Sequence, residues 1–220
     1  MKRALVTGAN RGIGLEICRQ LAEKDYEVCG VCRQASNELS KAAARVIENI
    51  DVGSNECIGR LSSELDVPEL DLIVNCAGIL ERVEWDELDF SSIERQIQIN
   101  ALGPLRVVKA VEDKLSSGSK IVMITSRMGS IGDNTSGSSY GYRMSKTALN
   151  MASVSLAHDL KSREIAVGIV HPGYVRTDMT HHSGHIEPPE SVRGILKRAE
   201  ELNLDNTGTF WHQNGDILPW

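Results

Sequence analysis

Three groups of residues in this 220-residue chain have types and spacings suited to chemistry. Tyr142 and Lys146 stand four positions apart in a segment, Ser139 to Arg163, whose pattern predicts a long helix. Residues at i and i+4 share a helix face. An ammonium beside a phenol favours the phenolate and draws the tyrosine pKa down from about 10. Such a pair can donate a proton to a carbonyl oxygen or take one from an alcohol. Ser126 directly follows the apolar run that starts at Lys120, and its hydroxyl could hold the same oxygen. The third group is the turn Thr7-Gly8-Ala9-Asn10-Arg11-Gly12-Ile13-Gly14. Glycines there let the main chain approach a pyrophosphate, and the helix that follows aims its first N–H groups at the anion.

Each group needs an element to hold it. Apolar runs at 3–8, 27–32, 45–52, 70–78, 120–126 and 165–173 predict buried strands, and 207–211 predicts a short last one. Between them, helical patterns cover Gly12 to Lys24, 38–44, Asn55 to Leu65, Glu87 to Leu115 with a break at Gly103-Pro104, the long segment, and Pro189 to Leu202. Strands that alternate with helices and are apolar throughout predict an α/β fold: one doubly wound parallel sheet of Rossmann type, about seven strands, helices on both faces. No linker, low-complexity stretch or internal repeat interrupts it, so residues 1–220 read as one domain. Ligands bind at the carboxyl ends of the strands in such a sheet. The glycine turn follows the first strand and Ser126 the fifth, so both lie at that edge.

Composition narrows the function classes. With 24 Lys and Arg against 30 Asp and Glu, the formal net charge is −6, which argues against a nucleic-acid-coating protein. No apolar run approaches the ~18 residues of a membrane span, and the opening lacks a signal-peptide core, so a cytoplasmic protein without a membrane partner is expected. The five cysteines, Cys18, Cys29, Cys32, Cys57 and Cys76, are an odd number within apolar runs, which reads as reduced core thiols. Cys29 and Cys32 form a CxxC, but on a strand they point to opposite faces and cannot share a metal. His181, His182 and His185 could ligate zinc, yet they sit in a loop after the sixth strand with no cysteine near. No metal is expected there.

In combination, the motifs resemble the short-chain dehydrogenase/reductase family over essentially the whole chain. Thr7 to Gly14 resembles its TGxxxGIG turn. Asn75-Cys76-Ala77-Gly78 resembles its NNAG segment, with a cysteine in place of the second asparagine. Asn100 resembles the helix asparagine, and Pro172-Gly173-Tyr174-Val175-Arg176-Thr177 the PGxVxT segment. The TGANRGIGLE opening and ILPW ending are similar to sniffer-type carbonyl reductases and C-factor-like proteins. The resemblance implies a reversible reduction of a ketone or aldehyde, with Tyr142 as general acid or base. It implies that Lys146 lowers the tyrosine pKa and holds the nicotinamide ribose, that Ser126 polarises the substrate oxygen, and that Asn100 helps hold a proton-relaying water. Cofactor contacts are implied at Gly8, Asn10, Arg11, Gly12, Ile13, Gly14, Asp51, Val52, Asn75, Ala77, Gly78, Pro172, Gly173, Val175 and Thr177. A C-factor-like signalling or sensor protein with weak turnover is the alternative.

Sixteen positions separate Ser126 from Tyr142, somewhat more than is usual in the family, so Ser130 is a rival serine. Tyr140 is a decoy, because Met144 and not a lysine stands four residues on. The second strand ends in Val31-Cys32-Arg33-Gln34 without the acid that binds a ribose 2′-hydroxyl in NAD enzymes. Arg33, with Arg11, could instead pair a 2′-phosphate, so NADP is expected and NAD remains possible. The segment from Tyr174 to Pro189 is the expected substrate lid. Trp85, Trp211 and Trp220 read equally as core or pocket. Ala148, Ala152 and Ser155 make a small-residue face on the long helix, which fits either the sheet or a two-fold partner in a homodimer or homotetramer.

Overall fold

Alternation within apolar strands decides how the molecule is layered. In β1 (Lys2–Thr7), Ala4 and Val6 enter one core cluster and Leu5 the other, all fully buried. A strand with two buried faces must lie between two helical layers. The computed structural model describes all 220 residues. β1 is followed by α1 (Gly12–Glu23), β2 (Tyr26–Val31), α2 (Asn37–Ala42), β3 (Arg45–Ile47), α3 (Glu56–Glu64) and β4 (Leu70–Asn75). Then come α4 (Phe90–Ile97), α5 (Gly103–Ala110), β5 (Leu115–Ile124), α6 (Tyr140–Leu160), β6 (Ala166–His171), α7 (Pro188–Glu201) and β7 (Phe210–His212). The seven strands pair in parallel in the order β3-β2-β1-β4-β5-β6-β7. This is the doubly wound, Rossmann-type α/β fold, and its strand order reverses between β1 and β4.

Helices α1 and α7 pack on one face, through Ile17, Leu21, Val192 and Ile195. Helices α3, α5 and α6 cover the other, through Leu61, Val107 and Leu149. Cys29 belongs to one cluster and Cys32 to the other, as strand alternation demands. Burial pushes the Cys18 and Cys29 thiols up to about 12. On α6, Leu149, Ser153 and Ala157 are buried, whereas Ala148 and Ser155 are exposed and Ala152 is half-buried. The small-residue face is therefore the outer one, not the one against the sheet.

Several boundaries differ from expectation. The third strand stops at Ile47 instead of Val52, because Asn49 takes a left-handed φ of 58° and turns the chain. β5 begins at Leu115, not Lys120; its register against β4 shifts near Leu70, where Ser119 donates its hydroxyl to the Leu70 carbonyl. The 87–115 helix is divided. A π-helical segment, Gln98–Leu102, joins α4 to α5, and Pro104 lies in the first turn of α5, where a missing N–H is harmless. A π segment costs hydrogen-bond quality and is often kept where a side chain must be aimed. This one carries Asn100.

Candidate active site

The glycine turn is built by close approach. Gly8 has a φ of 65°, and a Cβ on it would lie 2.8 Å from Ala77 Cα. A Cβ on Gly14 would lie 2.3 Å from the Gly8 carbonyl oxygen, so only glycine lets α1 start beside the turn. The Thr7 hydroxyl oxygen accepts from the Cys76 and Ala77 N–H groups, each at 3.1 Å, tying the end of β4 to the turn. The Ser36 hydroxyl donates to the Asn10 carbonyl at 2.8 Å and pins the outer side. Between these edges lies a cleft of about 570 Å³. Gly8, Asn10, Arg11, Gly12, Ile13 and Gly14 line one side, Arg33, Asp51 and Val52 the end, and Ala77, Gly78 and Thr177 the far wall.

A nicotinamide dinucleotide fits this donor set. The N-terminus of α1 has no side-chain cap and no acid in its first turn, so its free N–H groups are available to a pyrophosphate. Two arginines stand in the cleft. Arg11 is held by Asp178 at 3.1 Å, a bond that crosses from the glycine turn to the segment after β6.

Beside the cleft, β5 and α6 bring three reactive side chains together. Ser126 follows β5 and is buried, and its oxygen accepts from the Met128 N–H at 3.1 Å. Tyr142 lies in the first turn of α6. Burial pushes its phenol up to about 12, while the Ser126 hydroxyl, acting as a hydrogen-bond partner, pulls it down. Lys146 is buried, and desolvation lowers it to about 8. Its Nζ donates to the Ile124 carbonyl at 3.0 Å and lies 5.9 Å from the centre of the Tyr142 ring. The i,i+4 spacing predicts a tyrosine pKa lowered by Lys146; in the structure burial is the largest influence on Tyr142 and acts upward, and Ser126 is the group that pulls the other way.

Asn100 is fully buried. Its amide donates to the Ile79 carbonyl at 2.8 Å and to Ser145 Oγ at 3.0 Å, and its oxygen accepts from the Ile79 N–H at 2.8 Å. A Cβ on Gly78 would lie 3.2 Å from Asn100 Oδ1 and 3.7 Å from Lys146 Nζ, so this glycine lets the cleft wall approach both buried groups closely.

Not every expected residue reaches the site. Asn75 turns into the core, where its amide meets Met123 Sδ at 3.4 Å and its oxygen is unpaired. Pro172, Gly173 and Val175 shape the turn after β6 without lining the cleft. Ser130 is spent on the Asp133 N–H at 3.1 Å. Tyr140 lies against the exposed Trp85 ring. His182 pairs with Asp178 and His185 with the Tyr174 ring; they do not converge with His181 as a metal group. Sequence reasoning missed Gln34, Ile79, Ile99, Asp178 and Met179, all cleft-lining. Asp178 was within reach as the residue after Thr177. Ile99, on the π segment, had no signal.

A second cavity, of about 380 Å³, opens at the opposite end of the sheet beside Lys2, Lys24 and Lys120. Its cations are engaged: Lys24 with Glu200, Lys120 with the Ala199 and Glu200 carbonyls, and Lys2 over the Tyr26 ring.

A glycine cradle at the switch point of a doubly wound sheet defines a dinucleotide-binding protein. The family is settled by comparison: residues 2–187 match the model of the short chain dehydrogenase family, and the chain belongs to it. The 1-hydroxy-2-glutathionyl-2-methyl-3-butene dehydrogenase of Rhodococcus sp. (strain AD45) is 39% identical, covering 100% of both chains. The C-signal protein of Myxococcus xanthus is 40% identical over 69% of this chain and 93% of its own length. Among solved structures, the carbonyl reductase Sniffer of D. melanogaster superposes with a TM-score of 0.92 at 28% identity over 100% of both chains. The NADPH-bound carbonyl reductase from chicken fatty liver does so at 0.90 and 27%, covering 100% of this chain and 99% of its own. The protein is therefore an oxidoreductase that uses a nicotinamide cofactor and a small-molecule substrate. No helix in it is long and apolar enough to cross a membrane.

Proposed function

We infer that the chain is, as one domain, an NADPH-dependent reductase of ketones or aldehydes that also runs in reverse. The observation that carries this is the convergence of Ser126, Tyr142 and Lys146 beside a cleft holding two arginines and no acid at the end of β2. The cofactor, when bound, supplies the hydride. The residues suited to hold it are the glycine turn for the pyrophosphate, Arg33 and Arg11 for a 2′-phosphate, Asp51 and Val52 for the adenine, and Lys146 for the nicotinamide ribose. Glu48, whose charge reaches Cys32 just past β2, is occupied by the Ala35 N–H at 2.6 Å.

Tyr142 acts as proton donor. Held well above neutral pH, it keeps a proton to give to the carbonyl oxygen as charge develops there. Ser126 donates to the same oxygen and fixes its position. Lys146, lowered to about 8, sits close enough to neutral pH to lose and regain a proton during turnover. Asn100 keeps the Ile79 main chain and Ser145 in place around it. The intact set favours turnover over the C-factor-like sensor reading.

The test is steady-state oxidation of NADPH and of NADH with a panel of ketones and aldehydes, and oxidation of a glutathionyl alcohol of the kind named for the Rhodococcus relative. The expected result is carbonyl-dependent turnover with a higher kcat/KM for NADPH. Cofactor binding without turnover on any member of the panel would favour the sensor reading, and equal use of NADH would remove the roles given to Arg33 and Arg11.

A further inference from the structure

Two features stand outside the catalytic reading: the long segment between Ser126 and Tyr142, and the Ile217-Leu218-Pro219-Trp220 end. In the structure they meet. After β7 the chain reverses, with the His212 N–H donating to the Asp216 carbonyl at 2.8 Å and the Leu218 N–H to the Phe210 carbonyl at 2.9 Å. The tail then crosses to the long loop, where the Gly132 N–H donates to the Trp220 main-chain oxygen at 2.7 Å. A Cβ on Gly132 would lie 3.0 Å from that oxygen. The Trp220 ring is stacked on Phe210, centroids 5.5 Å apart.

The loop is also tied to Ser126 from within. Arg127, next to the serine, pairs with Asp133, next to Gly132. The inner side of the serine turn is fixed by α6: the Gly129 carbonyl accepts from Thr147 Oγ1 at 3.0 Å and from Asn150 Nδ2 at 3.2 Å. Its outer side carries the Arg127–Asp133 pair, beside His171, and the tail.

We propose that Trp220 is a positioning residue for Ser126: its stack on Phe210 and its main-chain bond to Gly132 clamp the outer edge of the loop, so that the serine hydroxyl stays against the Tyr142 phenol. A stacked aromatic suits this role, because it gives a large rigid contact with few rotatable bonds. The proposal rests on the reading of Ser126 and Tyr142 as the reacting pair.

The readout is the pH profile of alcohol oxidation. Oxidation needs the deprotonated phenol, and the serine hydroxyl lowers the tyrosine pKa. When the serine drifts, the acid limb of kcat/KM moves to higher pH. Trp220→Ala is expected to shift that limb upward, in the same sense as Ser126→Ala, and to lower kcat roughly tenfold, as a small misplacement of a reacting group does. The Kd for NADPH stays unchanged, since the clamp lies away from the cleft. Trp220→Phe restores both properties, and Gly132→Ala, which crowds the same contact from the loop, gives a smaller shift. A lower melting temperature with an unmoved limb and normal kcat would overturn the clamp. A limb unmoved even in Ser126→Ala would overturn the site reading and the clamp with it.

Discussion

The two halves of the sheet's carboxyl edge are built by opposite means. Around β1 to β4 the site is main chain and missing side chains: Gly8 and Gly14 permit contacts that a single carbon would forbid, and Gly78 lets the wall approach Asn100 and Lys146 closely. Its charged groups, Arg11 and Asp178, are more than half exposed. Around β5 and α6 the site is side chains under burial. Asn100 is 0% exposed, Lys146 4% and Ser126 8%. One half presents donors to a ligand that brings its own charge; the other shifts proton affinities by removing water. A charge change should therefore do little to the fold on the first side and a great deal to chemistry and stability on the second.

The largest expected effect is on the buried side. Tyr142→Phe removes the proposed proton donor with little change of shape, and kcat should fall at least ~100-fold, the scale of general acid–base catalysis. The Kd for NADPH, followed by fluorescence titration, should hold, because the cleft lies on the other half. A Phe variant with near-normal kcat would remove Tyr142 from the chemistry.

Next comes Lys146→Met, where activity and stability should part. The lysine titrates at about 8 in the fold against 10.5 for the ordinary group. Folding therefore carries a penalty that is full below pH 8 and is relieved as pH rises from 8 to 10.5. Methionine removes the penalty and also the bond to Ile124, leaving a net gain of about 2 kcal/mol at pH 7. Denaturant melts should show this gain at pH 7 and its decline by pH 10, in an enzyme with greatly reduced turnover. A variant less stable than the parent at pH 7 would mean that Lys146 lies in a wetter site.

The same division governs how much was legible in the sequence. The glycine turn could be read because its constraints are local: the run from Thr7 to Gly14 and one helix start specify it. The strands were legible where both faces are buried and the run is apolar, as at Ala4 to Val6 and Ile121 to Ile124; the polar start of β5 was not. The Ser126, Tyr142 and Lys146 motif was legible as spacing, yet its electrostatics were not. The i,i+4 rule places a lysine on the same helix face, but it says nothing of how much water the tertiary fold removes, and burial reversed the expected direction for Tyr142. The early stop of β3 at Asn49 and the π segment holding Asn100 depend on main-chain torsions that residue types only weakly dictate. The inward turn of Asn75, with its neighbour Cys76 lining the cleft, had no signal in the residue types.

On the open side, Arg33→Ala should act on selectivity alone. A hydrogen bond to a charged phosphate is worth ~1.5–3 kcal/mol, so the ratio of kcat/KM for NADPH over NADH should shrink roughly 10- to 100-fold. Stability should barely move, because Arg33 is exposed and makes no side-chain bond in the structure. A lost preference accompanied by a large loss of stability would break the contrast between the halves.

The smallest effect on turnover should come from the outer face of α6, which belongs to neither half. Ala148 and Ser155 are exposed there, with Met144 49% and Met151 69% exposed beside them. Small residues let a second helix approach closely, and the methionines supply adaptable apolar contact. A two-fold axis uses one patch twice, so this face alone suffices for a homodimer, or for a tetramer built from such dimers. We expect the 24.1 kDa chain to run as a dimer or larger in light scattering during size exclusion at micromolar concentration. Ala152→Arg should place two guanidinium groups across the axis and shift the population to monomer. Because the site's side chains all come from one chain, the monomer should keep most of its kcat at short times. A parent that stays at the monomer mass on concentration would remove the interface, and an arginine variant that remains fully dimeric would move it to another face.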